Sequence, residues 1–407
     1  MAQPITASTA AAPMNWTRQG AMVVALCFLI NMVDGMDVNI ITFVRQSLQD
    51  DWGVGDEAMG GVFSAGLLGM GLGALLIAPL ADRFGRKWVI LAALALMSVG
   101  MIACGYVASL DTLILARVVV GTGIGTVLAT MAALASESAP ARHQHLAVGM
   151  VQAGFPLAAV FTGFAVAAML EHTDWQALLL GAGWLTVLVL PVAWFILPAH
   201  DPVTNSEAPK VRVAELFTPG LRPRTLWLWA AVFFGLMVLY FILSWITRLS
   251  IEAGLSETDS IYAGAIYNFG AFVGTMGMSW MTTRVPLGKL IPTLLVAAAV
   301  TMMVFAIIPL TLGLALGLAF LIGVTLQGGY NGVWPLAASV YPSRCRATGI
   351  GIAMGVGRSG AVVGPWFGGL LIAAKAPLWL LFAAYCVPLL ICALAAFIIA
   401  RFAPREA

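Results

Sequence analysis

Long apolar runs separated by short polar breaks occupy almost the whole chain. Runs of about 20 mostly apolar residues, enough to cross a bilayer as a helix, lie near 20–45, 58–80, 87–107, 111–135, 145–169 and 176–197. A second series follows near 225–247, 260–283, 288–310, 313–337, 346–373 and 377–401. This pattern predicts an all-α membrane protein of 12 transmembrane helices joined by short loops. The longest polar stretch, 198–224, sits mid-chain and holds Pro198, Pro202, Asn205, Pro209 and Pro219. It divides the chain into an N-terminal six-helix half (1–199), a cytoplasmic linker (200–222) and a C-terminal six-helix half (223–407).

Composition agrees with lipid as the solvent. Of the 407 residues 61% are hydrophobic and 9% charged, against about 25% charged in soluble domains. A net charge of +2 gives no reason to expect a nucleic-acid partner. The five cysteines, Cys27, Cys104, Cys345, Cys386 and Cys392, have no ligand-like spacing, so neither a disulfide nor a metal site is expected. No cofactor is implied. The first apolar run extends past residue 40, longer than the core of about 7–15 residues in a cleaved signal. It is therefore expected to remain as a spanning helix in the inner membrane.

Charge orients the helices. With a cytoplasmic N-terminus, most of the 20 Lys and Arg residues fall in cytoplasmic segments: only Arg45, Arg248 and Lys375 lie outside, and Arg117 and Arg358 lie within helices. External loops are acidic, with Asp50, Asp51, Asp56, Glu57, Glu171, Asp174, Glu252, Glu257 and Asp259. By the positive-inside rule both termini are cytoplasmic.

The halves echo each other. Pro140-Ala141-Arg142 after the fourth predicted helix matches Pro342-Ser343-Arg344 after the tenth, 202 residues on. The loop ADRFGRK between the second and third helices has a weaker counterpart, TTRVPLGK, between the eighth and ninth. Repeated halves about an axis along the membrane normal describe the major facilitator architecture. The loop Asp82-Arg83-Phe84-Gly85-Arg86-Lys87 resembles that superfamily's signature, although Ala78 stands where the pattern begins with Gly. Topology alone would also explain its charges. As a gating loop it would comprise Asp82, Arg83, Gly85, Arg86 and Lys87, with Glu137 and Arg142 as a further cytoplasmic pair; helix capping explains Glu137 equally well.

A finer resemblance, over nearly the whole chain, is to the aromatic acid:proton symporter family. It rests on Asp34-Gly35-Met36-Asp37 in the first helix and Arg117, Gly121 and Gly123 in the fourth. Glu137, Pro140 and Arg142, then Gly154-Phe155-Pro156, continue it. Tyr341-Pro342-Ser343, Arg346-Ala347-Thr348-Gly349, Gly355-Val356-Gly357-Arg358-Ser359-Gly360 and Gly364-Pro365 complete it. The fifth helix lacks the Gly-Pro-Gly-Gly pattern of drug/proton antiporters, which favours symport. The resemblance implies a proton-coupled importer of benzoate-type acids; a monomer, with its cavity between the halves of a single chain, is the expected working state. Another organic anion, a dicarboxylate such as muconate or a nicotinate-like acid, is the alternative substrate.

Ionisable residues in mid-bilayer cost at least ~2.5–3.5 kcal/mol on insertion scales. Asp34 and Asp37 lie roughly 21–26 Å along the first helix at 1.5 Å per residue, and with Asn31 they form a polar stripe at i+3 spacing. Asp34 and Asp37 are the candidates to carry the coupling proton, with Arg117 as their neighbouring charge. Arg358 is the candidate to hold the substrate carboxylate, since a guanidinium binds it bidentately. A fixed interhelical salt-bridge network is the competing explanation for these charges. Phe233, Phe234, Tyr240, Trp245, Tyr262 and Trp334 offer aromatic walls, although interface belts use the same residues. Asn31, Tyr267, Asn268, Gln327, Tyr330 and Asn331 are the favoured polar contacts, because buried amides and phenols need partners. His143, His145 and His172 fall in loops and carry no role. Glycines at 360, 364 and 368 and at 121 and 125 form small-residue ladders suited to close helix packing, and Pro365 marks a possible bend. No HExxH, GxSxG or intramembrane histidine cluster suggests an enzyme, and the tails and linker are too short for a receptor's soluble domain.

Overall fold

The computed structural model describes residues 15–140, 143–170, 172–198, 213–282 and 284–402. The expected linker falls partly outside them, as does Arg142. Within them the first half contains α1 (Arg18–Phe43), α2 (Arg45–Trp52), α3 (Asp56–Leu72), α4 (Leu80–Phe84), α5 (Arg86–Tyr106), α6 (Leu110–Ser138), α7 (Gln144–Met169) and α8 (Trp175–Ile196). The second contains α9 (Arg222–Glu252), α10 (Glu257–Met281), α11 (Leu287–Ile307), α12 (Leu312–Asn331), α13 (Val333–Val340), α14 (Ser343–Ala373) and α15 (Leu378–Phe402).

Ten helical segments are long and apolar enough to cross a membrane by length and composition. The remaining two long helices, α10 and α14, carry more polar residues, including Asn268 and Arg358. Their polarity is tolerated because each is sandwiched: α10 between α7 and α12, α14 between α3 and α9. Partners repeat between the halves. Helix α5 packs on α6 and α8 as α11 packs on α12 and α15, and α3–α6 corresponds to α10–α12.

Small residues set the approach distances. A Cβ on Gly121 or Gly125 of α6 would overlap the Gly66 and Met70 carbonyls of α3, and one on Gly360 or Gly364 of α14 would overlap the Phe233 and Met237 carbonyls of α9. Helix α14 runs unbroken through Pro365, whose carbonyl accepts from Trp245 Nε1 at 2.9 Å.

The first span ends earlier than the hydrophobic pattern predicts. Helix α1 stops at Phe43, the chain turns at Val44, and α2 begins at Arg45. Helix α3 continues through a π-helical turn, Gly73–Ile77. Gly85, between α4 and α5, has φ +87°, a region open to glycine and strained for other residues.

The two ends of the bundle differ. At the end carrying α2, the halves are joined: Thr247 Oγ1 donates to the Thr42 carbonyl, Ser64 Oγ donates to the Val362 carbonyl at 2.8 Å, and the Phe63 and Trp245 rings meet edge to face at 5.2 Å. The opposite end, where α4 lies, is built differently. Leu75, Leu76, Leu146, Met150 and Met354 are exposed there, and no hydrogen bond or ion pair joins the halves among the described residues on that side of Arg358 and Asn268.

Candidate functional site

The polar stripe of α1 faces inward. Asn31, Asp34 and Asp37 are each at most 1% exposed. A close α1–α7 crossing places them there, since a Cβ on Gly35 would overlap the Phe155 carbonyl. Asn31 Nδ2 donates to the Val151 carbonyl on α7. All four carboxylate oxygens of Asp34 and Asp37 lack a hydrogen-bond partner.

Two guanidiniums stand beside them. Arg117 Nη1 on α6 donates to the backbone carbonyl of Asp37 at 3.0 Å, so α1 and α6 do face each other. The contact is with the main chain, however, and the Asp37 carboxylate accepts no hydrogen bond from the guanidinium. Arg358 comes from the other half. Its Nη1 donates to Tyr240 Oη at 3.2 Å and lies 3.5 Å from Met70 Sδ on α3. Its charge reaches Asp34, while that of Arg117 reaches Asp37. A small cavity of about 20 Å³, lined in part by Phe63, Met70, Arg117 and Tyr240, lies between the halves; it has room for about one water.

The other predicted contacts separate into three groups. Tyr267 and Tyr330 are buried with unpartnered hydroxyls, so both have hydrogen-bonding capacity to offer. Asn268 is engaged, donating to the Gly264 carbonyl at 2.9 Å and to Asn39 Oδ1 on α1 at 3.4 Å. Asn331 donates to Thr275 Oγ1 at 2.8 Å, and Gln327, one turn earlier on α12, is half-buried. Tyr240, considered only as a wall, is a direct polar partner of Arg358.

Sequence reasoning missed a polar cluster where α2, α3 and α9 meet. Arg45, 1% exposed, reaches Asp56 Oδ1 at 3.4 Å; Arg248 Nε from the other half reaches Asp56 Oδ2 at 3.4 Å. Arg248 also pairs with Glu252 at 2.6 Å, and Ser47 donates to Glu257 across the halves at 3.4 Å. Burial lowers the Arg45 pKa to about 10, with opposing contributions from Asp56 and Arg248. The signal was present: Arg45 and Arg248 were two of the three cations on the wrong side of the charge rule.

The sequence pattern of the Major Facilitator Superfamily matches residues 27–365. This chain belongs to the major facilitator superfamily. It is similar to the 4-hydroxybenzoate transporter PcaK of Pseudomonas putida, 32% identical with 86% of each chain covered. The 3-(3-hydroxy-phenyl)propionate transporter of Escherichia coli is 29% identical, covering 95% of this chain and 96% of that one. Among solved structures, a bacterial homolog of the human lysosomal transporter Spinster, inward-facing and unoccupied, superposes with a TM-score of 0.75 at 19% identity, covering 96% of this chain and all of the other. That likeness concerns the fold. As a member of a transporter superfamily the chain is a carrier and not an enzyme.

The superfamily signature loop is largely a brace within one half. Arg86 pairs with Glu137 at the end of α6, and Lys87 Nζ donates to the Trp194 carbonyl of α8 at 2.7 Å. Arg83 lies over the Phe84 ring at 5.4 Å. Asp82 falls in α4, but its side chain is outside the described set. Glu137 has Arg86 as a partner; Arg142, the other member of the expected cytoplasmic pair, lies outside the described residues.

Proposed function

We propose that this chain imports aromatic, benzoate-type carboxylic acids together with protons, by alternating access of two halves, 1–199 and 223–407, about a site at their junction. The observation that carries this is the pair of buried, partnerless carboxyls, Asp34 and Asp37, beside guanidiniums from both halves. Fixed salt bridges would satisfy those oxygens; a site that must load and release a proton leaves them available. The names of the relatives support an aromatic acid as cargo.

In this reading Arg358 takes the substrate carboxylate, and the unpartnered hydroxyls of Tyr267 and Tyr330 add donors. Asn31, Asn268, Gln327 and Asn331 provide the remaining polar lining. The positive loops assign the α4 end to the cytoplasm of an inner-membrane protein with both termini inside. The α4 end then opens inward, and the Arg45–Asp56–Arg248 cluster closes the outside. The chain functions as a monomer, with the signature loop and Glu137 bracing the inner ends of the helices.

The test is uptake of labelled benzoate-type acids by proteoliposomes with an imposed pH gradient. Accumulation that collapses with a protonophore is expected. Transport of muconate or nicotinate but no benzoate-type acid would move the substrate to another organic anion, and accumulation indifferent to the protonophore would end the proton-coupling claim.

A further inference from the structure

Two acids are eligible for the coupling proton, and their surroundings are not equivalent. Asp37 has Arg117 fastened to its own backbone carbonyl at 3.0 Å. Both residues belong to the first half, so any rocking of the halves carries them together. Asp34, one turn nearer the α4 end, finds its opposite charge in Arg358, on α14 of the other half. Arg358 is itself weakly held, by a phenol oxygen at 3.2 Å and a thioether sulfur at 3.5 Å. Neither neutralises a guanidinium.

We infer that Asp34 carries one proton per acid molecule, and that Arg358 couples the two because a substrate carboxylate and the ionised Asp34 compete for its charge. This rests on the reading of the chain as a proton-coupled acid carrier.

The argument is one of charge. With Asp34, Asp37, Arg117 and Arg358 all ionised the buried cluster is neutral. A carboxylate added at Arg358 leaves one excess negative charge in a poorly hydrated site, which is costly. One proton restores neutrality, and a second would overshoot it. Asp37 keeps Arg117 throughout, whereas Asp34 loses its only counter-charge to the incoming acid; the proton therefore belongs on Asp34.

The surrounding elements supply no competing charge. Toward the cluster α5 contributes Cys104, α9 Tyr240, α12 Tyr330 and α15 Cys392, none of them a carboxylate or an ammonium. Helix α8 has no ionisable residue, α7 has only His145 in its first turn, and the acids of α3 and α10 lie at their first turns near α2.

Two consequences follow. Acid binding should take up one proton from solution, and by linkage the affinity for the acid anion should fall tenfold per pH unit above the Asp34 midpoint. The loaded and empty sites also carry the same net charge. A pH gradient of one unit should then sustain tenfold accumulation, and a membrane voltage should add nothing. A cycle moving one net charge would instead change accumulation about 40-fold per 100 mV.

The experiment uses the purified full-length chain with 4-hydroxybenzoate as the probe. Proton uptake on binding is measured in weakly buffered detergent solution, and accumulation in phosphatidylcholine proteoliposomes under separately imposed pH and potassium-diffusion gradients. Expected are one proton per bound acid, drive by pH alone, loss of proton uptake in Asp34→Asn, and its recovery in Asp34→Glu. Asp34→Glu should also shift the pH midpoint of substrate affinity, which a proton carried elsewhere would leave in place. Voltage-driven accumulation, or proton uptake surviving in a folded Asp34→Asn, would overturn the inference while leaving acid transport intact. Failure of the wild-type chain to bind or carry any benzoate-type acid would instead remove the reading on which it rests.

Discussion

Among the described residues, Asp56 at the start of α3 is the one acid that touches a cation from each half, Arg45 at 3.4 Å and Arg248 at 3.4 Å. Asp56→Asn keeps the shape and the bond from Gln49 Nε2, 3.2 Å away, but leaves two guanidiniums facing each other. Truncating one member of a desolvated pair costs about 2–5 kcal/mol. Asp56 and Arg248 are 15% and 23% exposed, so water relieves part of that loss. The low end, about 2 kcal/mol, is the appropriate magnitude. That penalty falls on the conformation closed at the α2 end, and raises the population open there by about 30-fold.

Ser64 reports on this opening. It is 7% exposed and donates to the Val362 carbonyl across the α3–α14 seam. A Ser64→Cys variant should react slowly with a polar maleimide in detergent, and about 30-fold faster when Asp56→Asn is added. The native cysteines are buried and can be replaced to lower the background. With its pKa at about 10, Arg45 stays charged through neutral pH, so the reaction ratio should not change between pH 6 and 8. An unchanged labelling rate in a folded Asp56→Asn protein would refute the latch, as would an equal acceleration by Asp50→Asn, which spares Asp56.

Other substitutions test separate parts of the argument. Gly35→Leu drives a side chain into the Phe155 carbonyl; we expect loss of folded protein by size-exclusion chromatography, since separating α1 from α7 dismantles the site. Gly85→Ala forces a Cβ onto φ +87° and should cost about 1–3 kcal/mol, read as a lower melting temperature with the same helical content. Glu137→Gln removes the partner of Arg86, but Glu137 is 55% exposed; stability should change by at most about 1 kcal/mol, while any effect of the brace on turnover appears in the uptake rate.

Much of the fold is legible because lipid imposes a simple rule: an apolar run of spanning length must become a helix. That rule locates even α14, although Arg358 and eight glycines dilute it. It says nothing about what happens at the interface with water, and there the reading slipped. Val44 and Arg45 looked like the end of a span, yet the chain turns and starts α2, because Arg45 has Asp56 and Gln49 to bury against. The sequence names Arg117 as a neighbouring charge of the aspartates, but it cannot distinguish a carboxylate from the carbonyl of the same residue as the group that Arg117 meets. The Asn39–Asn268 contact was half visible: Asn268 was singled out for its buried amide, but Asn39, 229 positions away, gave no sign of being its partner. Pairings across the two halves are set by their relative placement, which no local pattern encodes.

That distinction between packing within and across the halves bears on how the molecule can move. Within each half, glycine crossings such as Gly121–Gly66 and Gly364–Met237 bring backbone against backbone so closely that no side-chain atom fits between. Such crossings must shift as rigid units. Across the halves the approaches are looser: a Cβ on Gly60 would stand 3.0 Å from the Pro365 carbonyl, and one on Gly163 would meet the Ala265 methyl at 2.7 Å. The remaining cross-half links are single hydrogen bonds and partly exposed ion pairs, each contributing on the order of 1 kcal/mol. Their sum is comparable with what a bound acid and its proton can supply, so ligand occupancy is able to decide which end of the seam is closed. The buried charges sit at the level where the cross-half hydrogen bonds among the described residues end, with Arg358 bonded to Tyr240 in its own half and touching Met70 in the other. A carboxylate that takes Arg358 away from these contacts acts at the fulcrum of the motion, which is where a small ligand has the greatest effect on the balance between the two states.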